Sequence, residues 1–163
     1  TLGKGLANGF PCTAFAIREE YTDVLEKISA STSYGGNPMA SAAGLASLEV
    51  IEEENIVEKS ASLGEFIMKR LNKMKDDHKI IGEVRGKGCL LGMELVKDRE
   101  TRVPATEAAK LLVEKCFEKG LVLLSCGNYS NVIRTLMPFV ITDEQLDKGL
   151  SILEESLREL DRV

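Results

Sequence analysis

The sequence predicts a mixed α/β chain in two pieces, a helix-rich first third and a compact α+β unit from about residue 57 to the end. Three observations predict it. Helical patterns occupy four long segments, short apolar runs of strand length fall between Ile80 and Met137, and Gly, Pro or N-cap residues mark the joints. The length of 163 residues suits about one ordinary domain, on a prior of roughly 100–200 residues each.

The elements follow in order. Residues 12–17 (CTAFAI) are a continuous apolar run, which predicts a strand buried on both faces. Residues 19–27 read as a short helix. Ser31-Thr32-Ser33-Tyr34-Gly35-Gly36 is a hydroxyl- and Gly-rich loop, and Asn37-Pro38 then supplies an N-cap and a Pro at the first helical position. The helix they open runs to about Glu54. Its first half (MASAAGLASL) is small and apolar almost all round, which predicts packing on several sides. A second helix, about residues 56–75, puts Leu63, Ile67, Leu71 and Met74 on one stripe.

From residue 80 the pattern changes to strands. Residues 80–84 and 89–96 flank Arg85-Gly86-Lys87-Gly88, which reads as the turn of a β-hairpin. Residues 106–119 form an amphipathic helix with Ala109, Leu112, Val113, Cys116 and Phe117 inward, stopped by Gly120. Residues 121–126 and 132–137 are strands. Thr142 opens a last helix, with Gln145 three residues on as a capping box and Leu146, Leu150, Leu153, Leu157 and Leu160 as its apolar stripe. The domain boundary falls between residues 56 and 57.

Composition excludes several classes. Hydrophobic residues at 44% and charged residues at 29% are ordinary globular values, which removes collagen-like, disordered and coiled-coil readings. The net charge of −5 and pI near 5.1 argue against a nucleic-acid or anionic-membrane partner. No stretch approaches the roughly 18–20 apolar residues of a membrane span. Cys12, Cys89, Cys116 and Cys126 form no C-x-x-C pair and sit in apolar segments, which predicts reduced, buried thiols in a cytoplasmic protein. The one histidine, His78, lies in the charged run Asp76-Asp77-His78-Lys79 and reads as a solvated loop residue. Zinc sites and His-dependent nucleophilic catalysis therefore have no support, and no metal is expected. A Gly-rich, functional-looking segment at residue 1, without a leader, suggests a piece of a longer chain.

Three places depart from the bland pattern. Lys4 lies between Gly3 and Gly5, which admit close approach, with Leu2, Leu6 and Phe10 as apolar surroundings. Desolvation favours a neutral lysine amine, which Schiff-base chemistry requires. A surface lysine in a flexible loop explains the same residues. The second place is Ser31-Thr32-Ser33-Tyr34-Gly35-Gly36-Asn37-Pro38, where hydroxyls precede a helix N-terminus and could cradle a phosphate. A capped connecting loop is the alternative. The third is Arg134 in Val132-Ile133-Arg134-Thr135-Leu136-Met137, a permanent charge in an apolar strand that needs a carboxylate or phosphate partner. That partner is either a substrate or an internal Asp or Glu.

The stretch Thr1-Leu2-Gly3-Lys4-Gly5-Leu6-Ala7-Asn8-Gly9-Phe10-Pro11 resembles the lysine segment of class III pyridoxal-phosphate aminotransferases, the ornithine and 4-aminobutyrate type. Val84-Arg85-Gly86-Lys87-Gly88 and Gly120-Leu121-Val122-Leu123-Leu124 fall in the family's order. Residues 124–134 are similar to its 4-aminobutyrate branch. The resemblance implies the end of the large domain (1–56) and the small C-terminal α+β domain (57–163) of a fold-type I enzyme. It implies that Lys4 binds pyridoxal 5′-phosphate covalently and that Arg134 holds a substrate carboxylate. It further implies that Ser33, standing where the family has threonine, or Thr32 beside it, reaches the cofactor phosphate of a neighbouring subunit.

The implied activity is amino transfer from 4-aminobutyrate or another ω-amino acid to an oxo acid such as 2-oxoglutarate, in a homodimer. Other parts of the family's site precede the lysine, so the resemblance implies that this chain alone is inactive. A same-fold decarboxylase or aminomutase, and a non-catalytic dimerisation module, are the rival readings.

Overall fold

Two units make up the chain, Thr1–Ile56 and Val57–Val163. A computed structural model describes residues 1–25 and 33–161.

In the first unit a 3-10 turn, Lys4–Leu6, is followed by a return of the chain that pairs Leu2 with Ala14. The Leu2 N–H donates to the Ala14 carbonyl at 2.6 Å and the Ala14 N–H returns the bond at 3.0 Å. This one bridge replaces the expected strand at residues 12–17. Phe15 is 60% and Ile17 44% exposed. A strand buried on both faces needs paired neighbours and covering helices, and the described part of this unit supplies only Leu2. Residues 19–25 form a 3-10 turn, Glu19–Tyr21, running into α1, Thr22–Leu25; the rest of the expected helix lies outside the described residues.

Helix α2, Pro38–Glu53, starts as its sequence dictates. The Asn37 side chain accepts the Ala40 N–H at 2.9 Å, and Pro38 occupies the first turn, where its missing N–H is harmless. The helix is not packed on several sides. Only Ala40 and Gly44 are buried, while Met39, Leu45 and Leu48 are exposed. Its contact is a small-residue face, with the Cβ position of Gly44 3.7 Å from the Leu6 carbonyl oxygen.

The second unit is one antiparallel sheet with three helices packed on one face. Helix α3, Ile56–Asp77, precedes the hairpin of β1, Ile81–Lys87, and β2, Leu90–Leu95. Helix α4, Thr106–Glu118, then leads to β3, Leu124–Cys126, β4, Val132–Thr135, and α5, Asp143–Leu160. The strand order is β1-β2-β4-β3, with every pair antiparallel. Leu91, Met93, Leu95 and Ile133 point from the sheet into a core closed by Ile67, Leu71 and Met74, by Ala109, Leu112 and Cys116, and by the α5 leucines. Leu160 packs partly buried against it. The capping box at Thr142 is complete, with the Gln145 N–H on Thr142 Oγ1 at 3.2 Å and the Thr142 N–H on Gln145 Oε1 at 3.0 Å.

Four expectations are corrected here. The hairpin forms, but Arg85-Gly86-Lys87 lies inside β1; Lys87 pairs with Leu90, so the turn is Gly88-Cys89. Gly88 takes the positive φ of +54° that a tight two-residue turn asks of its first residue. Phe117 is 66% exposed, because the stripe of α4 runs through Ala109, Leu112 and Cys116 and leaves it on the flank. His78 is buried. Its N–H continues α3 by donating to the Met74 carbonyl at 2.8 Å, and its Nδ1 lies 2.5 Å from Asp161 Oδ2 at the end of α5. Arg99 completes this corner by donating to the carbonyls of Lys75, His78 and Ile81, satisfying acceptors at the helix end. Finally, the four cysteines are free thiols, but Cys12 and Cys126 are only half-buried.

Candidate functional site

The three sequence-singled places distribute over both units. Lys4 and Ser33 belong to the first, Arg134 to the second, and Thr32 lies outside the described residues.

Lys4 stands in a left-handed conformation, φ +51°, a region that a non-glycine residue enters at a cost of about 1–3 kcal/mol. Such strain persists where surrounding structure imposes it, and the Leu2–Ala14 bridge and the 3-10 turn that Lys4 opens flank it here. The lysine is exposed and takes part in no ion pair among the described residues. It borders a depression of about 610 Å³ whose wall includes Asn8, Phe10, Pro11, Cys12 and Thr13. The apolar enclosure expected from Leu2 and Phe10 is not provided within this unit, since they are 56% and 46% exposed.

Ser33 is exposed and leads into the turn that ends at Gly36, φ +70°. Asn37 ties this turn down by donating from Nδ2 to the Tyr34 carbonyl at 3.0 Å. The helix end is a weaker anion cradle than its sequence suggests. Pro38 has no N–H, and the Ala40 N–H is already taken by the Asn37 side chain. An anion held here would depend on hydroxyls such as that of Ser33.

Arg134 has the most telling surroundings. Its neighbours Ile133 and Thr135 pair with Met93 and Leu91 on the core face, so alternation sends Arg134 to the sheet's other face. It is half-buried, and its Nε is shielded from solvent without a hydrogen-bond partner. No carboxylate among the described residues pairs with it. A cavity of about 420 Å³ beside it is lined by apolar side chains, among them Leu121, Leu124, Leu136 and Met137. On the same face Arg85 Nη1 donates to Glu94 Oε2 at 2.5 Å and to Glu83 Oε2 at 3.2 Å. The hydrogen bond that Arg85 donates to Glu94 is the main reason the Arg85 guanidinium is pushed above its usual value. This cluster escaped the sequence reading, which took Arg85 for a turn residue; only the strand register reveals it.

The sequence pattern of the class III aminotransferases, Aminotransferase class-III, matches residues 1–157. The chain belongs to that family. This class III aminotransferase chain is 44% identical over 160 residues to 5-aminovalerate aminotransferase DavT of Pseudomonas aeruginosa, covering 98% of itself and 38% of that relative. It is 40% identical over 161 residues to a leucine/methionine racemase of Thermococcus litoralis, covering 99% of itself and 36% of the racemase. Among solved structures, an S-selective transaminase from Arthrobacter sp. with alanine bound superposes with a TM-score of 0.84 at 28% identity. That alignment covers 99% of this chain and 38% of the transaminase. The chain thus spans under two fifths of the length of these proteins.

The family is pyridoxal phosphate dependent and has fold type I. The residues present fit that cofactor: Lys4 offers an accessible amine, unpaired among the described residues, on a backbone in the left-handed region. The described residues contain no cluster of His, Cys, Asp and Glu able to hold a metal, and no helix among them is long and apolar enough to cross a membrane.

Proposed function

We propose that the protein carrying this chain moves the amino group of an ω-amino acid, 4-aminobutyrate or 5-aminovalerate in type, to an oxo acid such as 2-oxoglutarate. The observation that carries this reading is the Arg134 guanidinium, half-buried with an unpartnered Nε and no internal carboxylate among the described residues. A guanidinium presents a planar fork that suits a carboxylate. An ω-amino acid anchored by its carboxylate there extends an apolar carbon chain, for which Leu124, the exposed cross-strand partner of Arg134, offers matching surface.

Lys4 is the residue that holds the cofactor and, once released, serves as base and then acid, taking a proton from the substrate's amine-bearing carbon and delivering it to the cofactor's side, so that the amino group can leave that carbon. Bound pyridoxal phosphate supplies the electron sink that makes that carbon acidic. Ser33, with Thr32, supports the phosphate through hydroxyl donors. We infer, from the same family likeness, a cytoplasmic homodimer in which this loop serves the neighbouring subunit's cofactor; sedimentation of the full protein tests the dimer.

Borohydride reduction of the cofactor-loaded protein, followed by peptide mapping, should leave a pyridoxyl group on Lys4. A label on another lysine overturns its assignment. The 40% identity to a racemase favours a second reading, in which the amino group stays on its carbon and the proton returns to that carbon's opposite face. Assays of 5-aminovalerate with and without 2-oxoglutarate separate the two. Consumption that requires the oxo acid supports transfer, and racemisation of an α-amino acid without it supports the second reading.

A further inference from the structure

The sheet face that carries Arg134 poses an electrostatic problem. Cross-strand partners share a face, so Arg85, Gly92, Arg134 and Leu124 form one row across the four strands. Glu83, Glu94, Val132 and Cys126 form the next. Glu94 is therefore the diagonal neighbour of two guanidiniums, Arg85 on one side and Arg134 on the other, each at about 7–8 Å between Cα atoms. Gly92 puts no side chain between them. Glu94 pairs with Arg85 at 2.5 Å, although its side chain is only 24% exposed and Arg134 is left without a carboxylate among the described residues.

Arg85 does a second thing. Glu83 and Glu94 stand directly opposite each other, an arrangement that repels when both are ionised. The Arg85 guanidinium bonds both, at 3.2 and 2.5 Å, and Arg102 lies 3.7 Å from Glu83. Without Arg85, Glu94 faces a like charge on one side and the open fork of Arg134 on the other.

We propose that Arg85 is a positioning residue for Arg134: by holding Glu94, it keeps that carboxylate off the Arg134 fork and leaves the fork open to a carboxylate ligand. This rests on the reading of Arg134 given above.

The test uses the full cofactor-loaded protein and valerate, a five-carbon monocarboxylate, as the calorimetric probe. Arg85→Gln should weaken valerate binding about three- to fivefold, the size of one partly exposed ion pair between Glu94 and Arg134. Arg85→Lys, which keeps a cation for Glu94, should bind like the parent. Adding Glu94→Gln to Arg85→Gln should restore binding, because the competing carboxylate is gone. In an Arg134→Gln background, Arg85→Gln should change nothing further. Arg85→Met, which keeps the aliphatic stem, replaces the glutamine variant if that one does not fold.

Two failures are distinguishable. If the parent does not bind valerate, or Arg134→Gln binds it as well as the parent, the reading of Arg134 falls and this proposal with it. If Arg134→Gln weakens binding but Arg85→Gln does not, or if Glu94→Gln fails to restore it, the role of Arg85 alone is overturned.

Discussion

Replacing Gly64 with alanine sets two physical effects against each other. Gly64 is buried in the middle of α3, where glycine disfavours the helix by about 0.5–1 kcal/mol relative to alanine. Propensity alone therefore predicts stabilisation. A Cβ there would lie 2.2 Å from the carbonyl oxygen of Gly88, 2.4 Å from its carbonyl carbon and 2.7 Å from its Cα. All three are backbone atoms, and the turn they belong to is fastened to α3 by the Cys89 N–H on Ser60 Oγ at 3.3 Å. No side chain can swing away, so helix and turn would have to part by roughly 1 Å to reach ordinary contact.

Overpacking of this kind costs about 1–3 kcal/mol, and a backbone-on-backbone clash belongs at the upper end. The net expectation for Gly64→Ala is a loss of about 2 kcal/mol, or about 10 °C in melting temperature for a unit of this size. Gly149→Ala in α5 is the control, since its Cβ would meet only Leu121 Cδ1 at an ordinary 3.5 Å. That variant should gain about 0.5 kcal/mol. Thermal melts of both beside the parent decide the matter. If Gly64→Ala melts at or above the parent, as Gly149→Ala should, the close approach of α3 to the hairpin is wrong.

Other outcomes follow from particular groups. Arg134→Lys should raise KM for a carboxylate substrate about tenfold or more, because lysine lacks the bidentate fork, while the melting temperature stays put; a lower melting temperature with unchanged KM would falsify the substrate role. Thr142→Ala should cost about 1 kcal/mol by opening the capping box of α5, read from a urea midpoint. Between α4 and α5, hydrogen bonds from Lys119 and Lys115 hold the Glu159 carboxyl down at about 2, and Glu155 and Glu159 push Lys119 up to about 12. A depressed acid stabilises above its ordinary value of 4.5 and loses this as pH falls toward 2. A raised lysine stabilises below its ordinary 10.5 and loses this as pH rises through about 12. The plateau should thus span pH 4.5 to 10.5, and melts of Lys119→Met should show both flanks softened.

What the sequence made legible was whatever its signals keep local. The Thr142–Gln145 box, the Asn37-Pro38 start and the stripe of Ile67, Leu71 and Met74 each depend on residues a turn or two apart, and each forms. The hairpin turn was misplaced because Gly86 looks like a turn residue. Its φ of +144° instead lets β1 pass close to β2, where a Cβ would meet the Leu90 carbonyl at 2.1 Å. The true turn contains Cys89, a residue without turn signature. His78 was read as solvated because its partner Asp161 is 83 residues away, beyond any local pattern. The run at residues 12–17 was read as buried because apolar composition was equated with cover, which only partners supply. Among the candidate residues, Lys4 and Arg134 are visible in the sequence as charges among apolar neighbours, whereas the pairing of Arg85 with Glu94 depends on register and is not.

The two residues singled out for chemistry are among the places where the structure departs from its own rules. Lys4 occupies a backbone region costing about 1–3 kcal/mol, and Arg134 carries a shielded, unpartnered N–H whose desolvation costs about as much again. Other departures exist, at the unsatisfied His78 Nε2 and Ser156 Oγ and the positive φ of Asn8, Asn55, Arg102 and Ser130, but α2 and α5 are capped, the leucine stripe of α5 faces the core, and Arg99, Arg85 and Lys119 each find acceptors. Among the described arginines Arg134 alone finds no acceptor, an arrangement held against stability. Such an inconsistency is expected where a ligand completes the structure. On this reasoning Val132, Ile133 and Thr135 have the work of seating β4 firmly enough, through burial and the Met93 and Leu91 pairings, to carry an arginine that contributes no stability until a carboxylate arrives. Valerate should accordingly raise the melting temperature of the parent and leave that of Arg134→Gln unchanged, since only a ligand held by the folded fork shifts the unfolding equilibrium.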